Sequence, residues 1–212
     1  MKLRCAVILA AGGGTRWSAA GGVGHKLLAT LPDGRVVVEA AIQAAVEAFE
    51  AEVEAEVESA DEPVVAGVCV VTGAVDISAA IPAGVAVTHN SHWADGQASS
   101  LQAGIHWADH HGYQSVIVGL GDQPWVGPEA WQAVARRLDA SGAAIVVPTF
   151  DGRRGQPVGI RRSVWAKLPT RGDAGARILM AQMPDLVEEV PCTGGQHLLT
   201  DIDTPGDLSS WN

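Results

Sequence analysis

The stretch Cys5-Ala6-Val7-Ile8-Leu9-Ala10-Ala11-Gly12-Gly13-Gly14-Thr15-Arg16 decides the fold of this 212-residue chain. Cys5 to Ala10 is an unbroken apolar run, without the alternation that marks a strand with one face in water. A short run of that kind, stopped at once by glycines, suits a strand buried on both faces of a parallel sheet. Similar runs recur at Val64 to Val71, Val85 to Thr88, Ser115 to Leu120 and Ala143 to Val147. Between them, Val37 to Ala51, Ala98 to His110 and Pro128 to Leu138 have helical spacing, and Pro128 suits a first helical turn. Strand alternating with helix predicts an α/β doubly wound sheet with right-handed crossovers, and the length favours one domain over residues 1–212.

In such sheets ligands bind beyond the carboxyl ends of the strands, so the loops after Ala10, Thr88, Leu120 and Val147 are where chemistry is expected. Beyond Pro148 the pattern is less regular. Phe150-Asp151-Gly152-Arg153-Arg154-Gly155 reads as a turn between two short extended pieces, the second being Gln156 to Ile160. Asp173 to Gln182 reads as a helix that Asp173 can cap, and Thr204-Pro205 opens a last short helix. Glu50 to Glu62 holds seven acidic residues and no basic one, which makes it an exposed helix end or a mobile link without assigned function.

Composition narrows the function classes. With 47% apolar and 18% charged residues, and no apolar run near the ~20 residues that span a bilayer, a soluble, non-membrane protein is expected. Met1-Lys2-Leu3-Arg4 leads into only seven apolar residues before the glycines, which is no secretory leader, so a cytoplasmic location is expected. A formal charge of -10 disfavours nucleic acid as a partner. Cys5, Cys69 and Cys192 lack metal-finger spacing and read as reduced thiols.

The glycine run lets backbone N–H groups surround phosphate oxygens without a Cβ in the way. It fits neither of the two commonest phosphate loops. GxGxxG needs glycine where Trp17 stands, and GxxxxGK[ST] fails because His25 separates Gly24 from Lys26. It does supply Arg16 and, ten residues on, Lys26, two cations able to neutralise a triphosphate; the bland alternative is a flexible turn with solvated cations.

Asp122 in Gly121-Asp122-Gln123-Pro124 ends a central strand, where a carboxylate can ligate a hard cation such as Mg²⁺; alone it is equally a turn aspartate. Asp203 in Asp201-Ile202-Asp203-Thr204-Pro205 gives it a distant partner, or else is a helix cap. Gly96-Gln97-Ala98-Ser99-Ser100-Leu101 begins a helix whose N–H groups and hydroxyls suit a sugar, base or phosphate, with Ser99 equally a plain cap. His106 and His110 are spaced like a metal pair but lack a third ligand, so an exposed helix end explains them better.

LAAGGGTR with Lys26, GQASSL, GDQP, GRRGQPVGI, GDAGAR and DIDTP, in this order from about Cys5 to Leu208, resemble the molybdenum-cofactor nucleotidyltransferases, most closely the cytidylyltransferase branch. The resemblance implies a Rossmann-like three-layer sandwich with a mostly parallel central sheet, of the nucleotide-diphospho-sugar transferase type. It implies attack on the α-phosphate of CTP or another NTP by a phosphate-bearing acceptor, a pterin cofactor, with Mg²⁺ bound and pyrophosphate released. A transient contact with a cofactor-receiving enzyme follows from the same resemblance. Carried over by motif, Leu9, Ala10, Ala11, Gly12, Gly13, Gly14, Ser99 and Ser100 line the nucleotide and Arg16 and Lys26 hold its phosphates. Asp122 and Asp203 hold the metal, and Arg154, Gln156 and Asp173 face the acceptor. Arg16, Lys26 and Asp122 form the catalytic set.

The chain departs from the family pattern in four places. Where the family commonly has Arg-Met-Gly and then Lys after a short gap, Trp17-Ser18 and a Gly/Ala-rich stretch from Ala19 to His25 intervene between Arg16 and Lys26. Gln97 and Gln123 stand where methionine is usual, and Gln156 replaces the histidine of Gly-His-Pro. Two other readings use the same loop: a nicotinamide-dependent reductase of a quinone-like substrate, and a nucleotide-binding regulator without turnover.

Overall fold

The computed structural model describes residues 4–56 and 67–209. The first half alternates as the sequence predicts: β1 (Arg4–Ala10), α1 (Thr15–Ala19), α2 (Val37–Glu56), β2 (Val68–Thr72), β3 (Ala86–His89), α3 (Gln97–His110), β4 (Ser115–Leu120) and α4 (Pro128–Ala140). Then come β5 (Ile145–Phe150), β6 (Arg153–Arg154), β7 (Val158–Arg161), α5 (Arg177–Gln182) and β8 (Val187–Pro191). All eight strands form one sheet in the order β3-β2-β1-β4-β7-β5-β6, with β8 also paired to β5. The pairs β1–β2, β1–β4, β2–β3 and β5–β8 are parallel, and β7 runs antiparallel to both β4 and β5. The fold is a single-domain Rossmann-like sandwich with a mostly parallel sheet.

The apolar run at the start of the chain is continuous because β1 is buried on both faces. Ala6, Ile8 and Ala10 pack with residues of α2 and α4 in one core cluster, while Cys5 and Val7 pack with Leu101 and Ile105 of α3 in the other. Successive side chains of a strand point to opposite faces, so each layer takes every second residue of β1. Close approach sets the α3 layer: a Cβ on Gly104 would lie 2.4 Å from Val7 Cγ1.

The turn expected over Phe150 to Gly155 is present but tighter, since Arg153–Arg154 within it is already a strand, and the expected second piece, Gln156 to Ile160, is extended as β7 only from Val158. Asp151 and Gly152, at φ 49° and 75°, make a two-residue turn between Phe150 and Arg153, which are register partners. Both positions of such a turn need positive φ, the reason for Asp-Gly there.

Two further expectations change. The segment Asp173 to Gln182 is helical only from Arg177, and α5 has Ala176 at its N-cap with no side-chain cap. The reason is a competing attachment. Gly172 donates its N–H to Asp95 O (3.0 Å) and accepts from Ala98 N (2.9 Å), which ties this segment to the start of α3. Asp173 therefore lies against Gly96 instead of capping α5. Second, Val187–Pro191 is a strand the sequence reading does not contain. Its two glutamates and proline conceal it, and an edge position tolerates all three. In the acidic stretch from Glu50 to Glu62, residues 57–62 lie outside the described residues, as do 64–66 of the run before β2.

Candidate active site

The loops at the carboxyl ends of β1 and β4 converge. Gly121 N–H bonds Leu9 O at 2.9 Å, and Asp122 O accepts from Ile202 N at 2.9 Å, so three distant segments are joined by backbone. Leu9 is half-buried, Ala10 and Ala11 are buried, and the chain leaves β1 through Gly12, Gly13 and Gly14. Gly14 has φ 63° and starts α1, which carries Arg16. That left-handed conformation is open to glycine at no steric cost.

Lys26 is the centre of the site. Its Nζ lies 2.6 Å from Asp122 Oδ2 and 2.8 Å from Asp203 Oδ1, and its side chain is 11% exposed. Arg16 pairs with the other oxygen of Asp203 from a much more open position, 76% exposed. Burial works against the Lys26 ammonium, but the two carboxylates more than offset it, and its pKa is raised above 10.5. Burial likewise disfavours the Asp203 carboxylate, while hydrogen bonds and charge from Lys26 and Arg16 hold its pKa below 3.8.

Asp203 is not a helix cap. Asp207 Oδ2 takes that part, accepting from Asp203 N (3.0 Å), Thr204 N (2.6 Å) and Thr204 Oγ1 (2.9 Å), which leaves the Asp203 carboxylate free to face the cations. Asp201 joins from the same segment because an extended chain sends residues two apart to one side, with buried Ile202 opposite. Asp201 is exposed as a residue, yet its carboxyl turns inward to accept 2.6 Å from Gln123 Nε2, and Gln123 is buried. Withdrawal from water, then the charge of Asp122, holds the Asp201 pKa above 3.8. Three carboxylates thus face two cations. A local excess of negative charge favours a further cation and opposes a bare polyphosphate.

His25 ties the glycine loop to the Lys26 turn. Its Nδ1 accepts from Leu27 N at 3.2 Å, so Nε2 carries the proton and donates to Gly12 O at 3.0 Å. Burial, helped by the Lys26 charge, lowers its pKa below 6.5, which keeps the neutral form that can do both. The unusual stretch before Lys26 folds onto Trp17, which is buried and donates from Nε1 to Val23 O at 3.3 Å.

The hydroxyls of Ser99 and Ser100 are held by Asn90, a buried residue just past β3. Asn90 Nδ2 donates to Ser99 Oγ at 2.9 Å and Ser100 Oγ at 3.0 Å, and Asn90 Oδ1 accepts from His92 N at 2.9 Å. The helix itself has Gly96 at its N-cap and no side-chain cap.

The three residues expected on the acceptor side, Arg154, Gln156 and Asp173, have separate surroundings and do not join the charged cluster. Gln156 lines a cavity of about 40 Å³ with Gln97 and Arg177, and its buried Oε1 has no hydrogen-bond partner among the described residues. Asp173 touches Gly96. Arg154 is engaged in an exposed ion pair, Nε to Glu189 Oε1 at 2.8 Å. His106, His110 and His111 are exposed, and among the described residues no three or more His, Cys, Asp or Glu side chains are placed to hold one metal ion together. A groove of about 530 Å³ between Thr72 and His89 contains none of the clustered charges. The chemistry belongs where the charges meet.

Asp201, His25 and Asn90 bond to the charged cluster, the glycine loop and the two serines, and motif reading passes over them. Asp201 had a signal, the Asp-x-Asp spacing of an extended segment, and His25 had adjacency to Lys26. Asn90 had none, because the Ser99 and Ser100 hydroxyls reach it only once the turn between β3 and α3 has formed.

Residues 6–187 match the family model described as the MobA-like NTP transferase domain. Among curated proteins, none matches significantly. A nucleotidyl transferase from Methanothermobacter thermautotroptrophicus superposes with a TM-score of 0.74 at 23% identity, covering 98% of this chain and 94% of that one. Rv0371c from Mycobacterium tuberculosis H37Rv superposes with a TM-score of 0.72 at 23% identity, covering 97% and 95%. The manganese complex of the same mycobacterial protein gives 0.63 at 21% identity, covering 99% and 94%. At these identities the likeness shows the fold. The family match ends before Asp201 and Asp203, so it is the folded chain that brings those two carboxylates to Lys26.

Proposed function

The chain belongs to the MobA-like NTP transferase family, and from that premise we propose that it transfers CMP from CTP to the phosphate of a molybdopterin-type acceptor, with Mg²⁺ bound and pyrophosphate released. The observation that carries this reading is Lys26 Nζ bridging Asp122 and Asp203 beside the glycine loop. Two oxygen-donor carboxylates suit Mg²⁺, which is commonly held by one or two carboxylates with phosphate and water completing its shell. Asp122 and Asp203 would hold the ion, and when bound it neutralises charge on the triphosphate. The surplus of carboxylates over cations fits a donor that arrives with its metal. CTP is favoured over GTP by the Leu9-Ala10-Ala11-Gly12 form of the loop, which resembles the cytidylyltransferase branch.

The residues of the chain then have separable roles. Backbone N–H groups of Gly12, Gly13 and Gly14, with Arg16 and Lys26, bind the phosphates; Ser99 and Ser100 flank the nucleoside. Arg154, Gln156 and Asp173 face the acceptor, with Gln156 Oε1 offering a buried acceptor atom. An acceptor phosphate oxygen attacks the α-phosphorus in line, the bond to the β-phosphate oxygen breaks, and no side-chain nucleophile is needed. Catalysis is positioning plus charge neutralisation. We further place the protein in the cytoplasm, where a cofactor-receiving enzyme would collect the product, and take residues 1–212 as one transferase domain. Among the described residues no helix is long and apolar enough to cross a membrane.

Pyrophosphate release with Mg²⁺, molybdopterin and each of the four NTPs tests the reading. CTP is expected to support the fastest release, and Asp122→Ala to reduce it by about 10²-fold or more with the circular dichroism unchanged. Near-normal release by Asp122→Ala would remove the metal role, and faster release with GTP would move the chain to the other branch.

A further inference from the structure

Trp93 stands against the glycine loop and no motif assigns it a role. It begins a short 3-10 turn, Trp93–Asp95, between β3 and α3. Its six-membered ring lies on Gly13: a Cβ there would sit 2.9 Å from Cζ3 and 3.4 Å from Cη2. Its own Cβ lies at Gly73, where an added Cβ would come within 2.8 Å of it. Both neighbours are glycines in contact range, so the side chain is seated at its ring by Gly13 and at its Cβ by Gly73.

The backbone beneath it is equally fixed. His92, the preceding residue, donates to Asn90 Oδ1, and the Ser99 hydroxyl lies 2.8 Å from both His92 O and Gly96 O. Yet the side chain is 36% exposed, and no other Phe, Tyr or Trp among the described residues is as open. A lone exposed aromatic is ordinary. One that is seated on a phosphate-facing loop, with its position braced from below, is a preorganised surface, and aromatic rings offer such surfaces to bases through stacking.

We propose that the Trp93 indole is the platform on which the base of the bound nucleotide stacks, so that Ser99 and Asn90 act on the nucleotide by positioning Trp93. This deepens the nucleotide reading and rests on it. Stacking does not depend on base hydrogen bonds, so Trp93 would add affinity for a purine or pyrimidine ring alike and none for a polyphosphate lacking one.

The experiment compares wild type, Trp93→Ala and Trp93→Phe in calorimetric titrations with Mg²⁺ plus CTP, GTP, ATP or UTP, and with Mg²⁺ plus inorganic tripolyphosphate. Trp93→Ala is expected to weaken the best-bound NTP by roughly 5- to 100-fold, while tripolyphosphate affinity changes by less than about 2-fold and Trp93→Phe keeps most of the NTP affinity. The wild-type indole emission that Trp93→Phe lacks should be quenched by NTP and not by tripolyphosphate. Equal weakening of NTP and tripolyphosphate would make Trp93 a support for the loop and overturn the proposal. Unchanged NTP affinity in Trp93→Ala would overturn it too. Wild type that binds tripolyphosphate but gains nothing from any base overturns stacking alone, whereas wild type that binds none of the five overturns the nucleotide reading itself.

Discussion

At the scale of single residues, the site is organised by which charges find partners. Lys26 binds two carboxylates at once, and Asp201 is the third carboxyl that the two cations do not balance. His25 is the residue whose state is easiest to follow. Its folded pKa lies below the ordinary 6.5, so the unfolded chain takes up the proton first. The neutral-imidazole contribution is complete above about pH 6.5 and is lost as pH falls through the lowered folded value. Urea titrations from pH 8 to pH 5 should therefore show a steeper loss of stability in wild type than in His25→Gln. Parallel curves would remove His25 from the set of groups that tie Gly12 to the Lys26 turn.

At the scale of elements, the sheet and α3 are positioned by close backbone approach. Gly104 allows α3 to lie on Val7, and the same helix presents Ser99 and Ser100 to Asn90. Gly104→Ala would push a Cβ to 2.4 Å from a buried, branched side chain. Overpacking of this kind costs about 1–3 kcal/mol, and for a chain of this size each kcal/mol lowers Tm by roughly 2–4 °C. Differential scanning calorimetry should record that loss, and an unchanged Tm would mean the α3 layer shifts freely. Much of this architecture is legible beforehand. The ends of β4 coincide with the apolar run Ser115 to Leu120, since a strand buried on both faces carries its signal in every residue. The helix from Asp173 fails as a reading because Gly172 is held by Asp95 and Ala98, contacts that local propensity does not contain.

For the molecule as a whole, the formal charge of -10 and the local carboxylate surplus point the same way. A free polyanion is repelled, and one carrying a divalent cation is repelled less. Ligand at 100 times its dissociation constant stabilises the folded state by about 2.7 kcal/mol, or roughly 5–11 °C in Tm for a chain of this length. Mg²⁺ with CTP should produce a shift of that order, CTP with EDTA much less, and Asp203→Asn should reduce the Mg²⁺-dependent part. An equal shift with EDTA would separate nucleotide binding from the metal.

Sequence alone determined the α/β alternation, the two-faced burial of β1, the Asp-Gly hairpin and the motifs from which Arg16, Lys26, Asp122 and Asp203 were read. Each of these is written in neighbouring residues, through periodicity, turn geometry or short spacing. Only the tertiary structure decided that Lys26 sits between Asp122 and Asp203, that Asp207 and not Asp203 caps the last turn, and that Asn90 holds both serines. It alone placed Trp93 on Gly13 and hid a strand of two glutamates and a proline at the sheet edge. The lysine site and the seat of Trp93 depend on segments many tens of residues apart meeting at the ends of β1 and β4, and β8 depends on its pairing with β5. The bonds of Asp207 and Asn90 are short-range, but which side chain takes which donor is fixed only when their loops have folded.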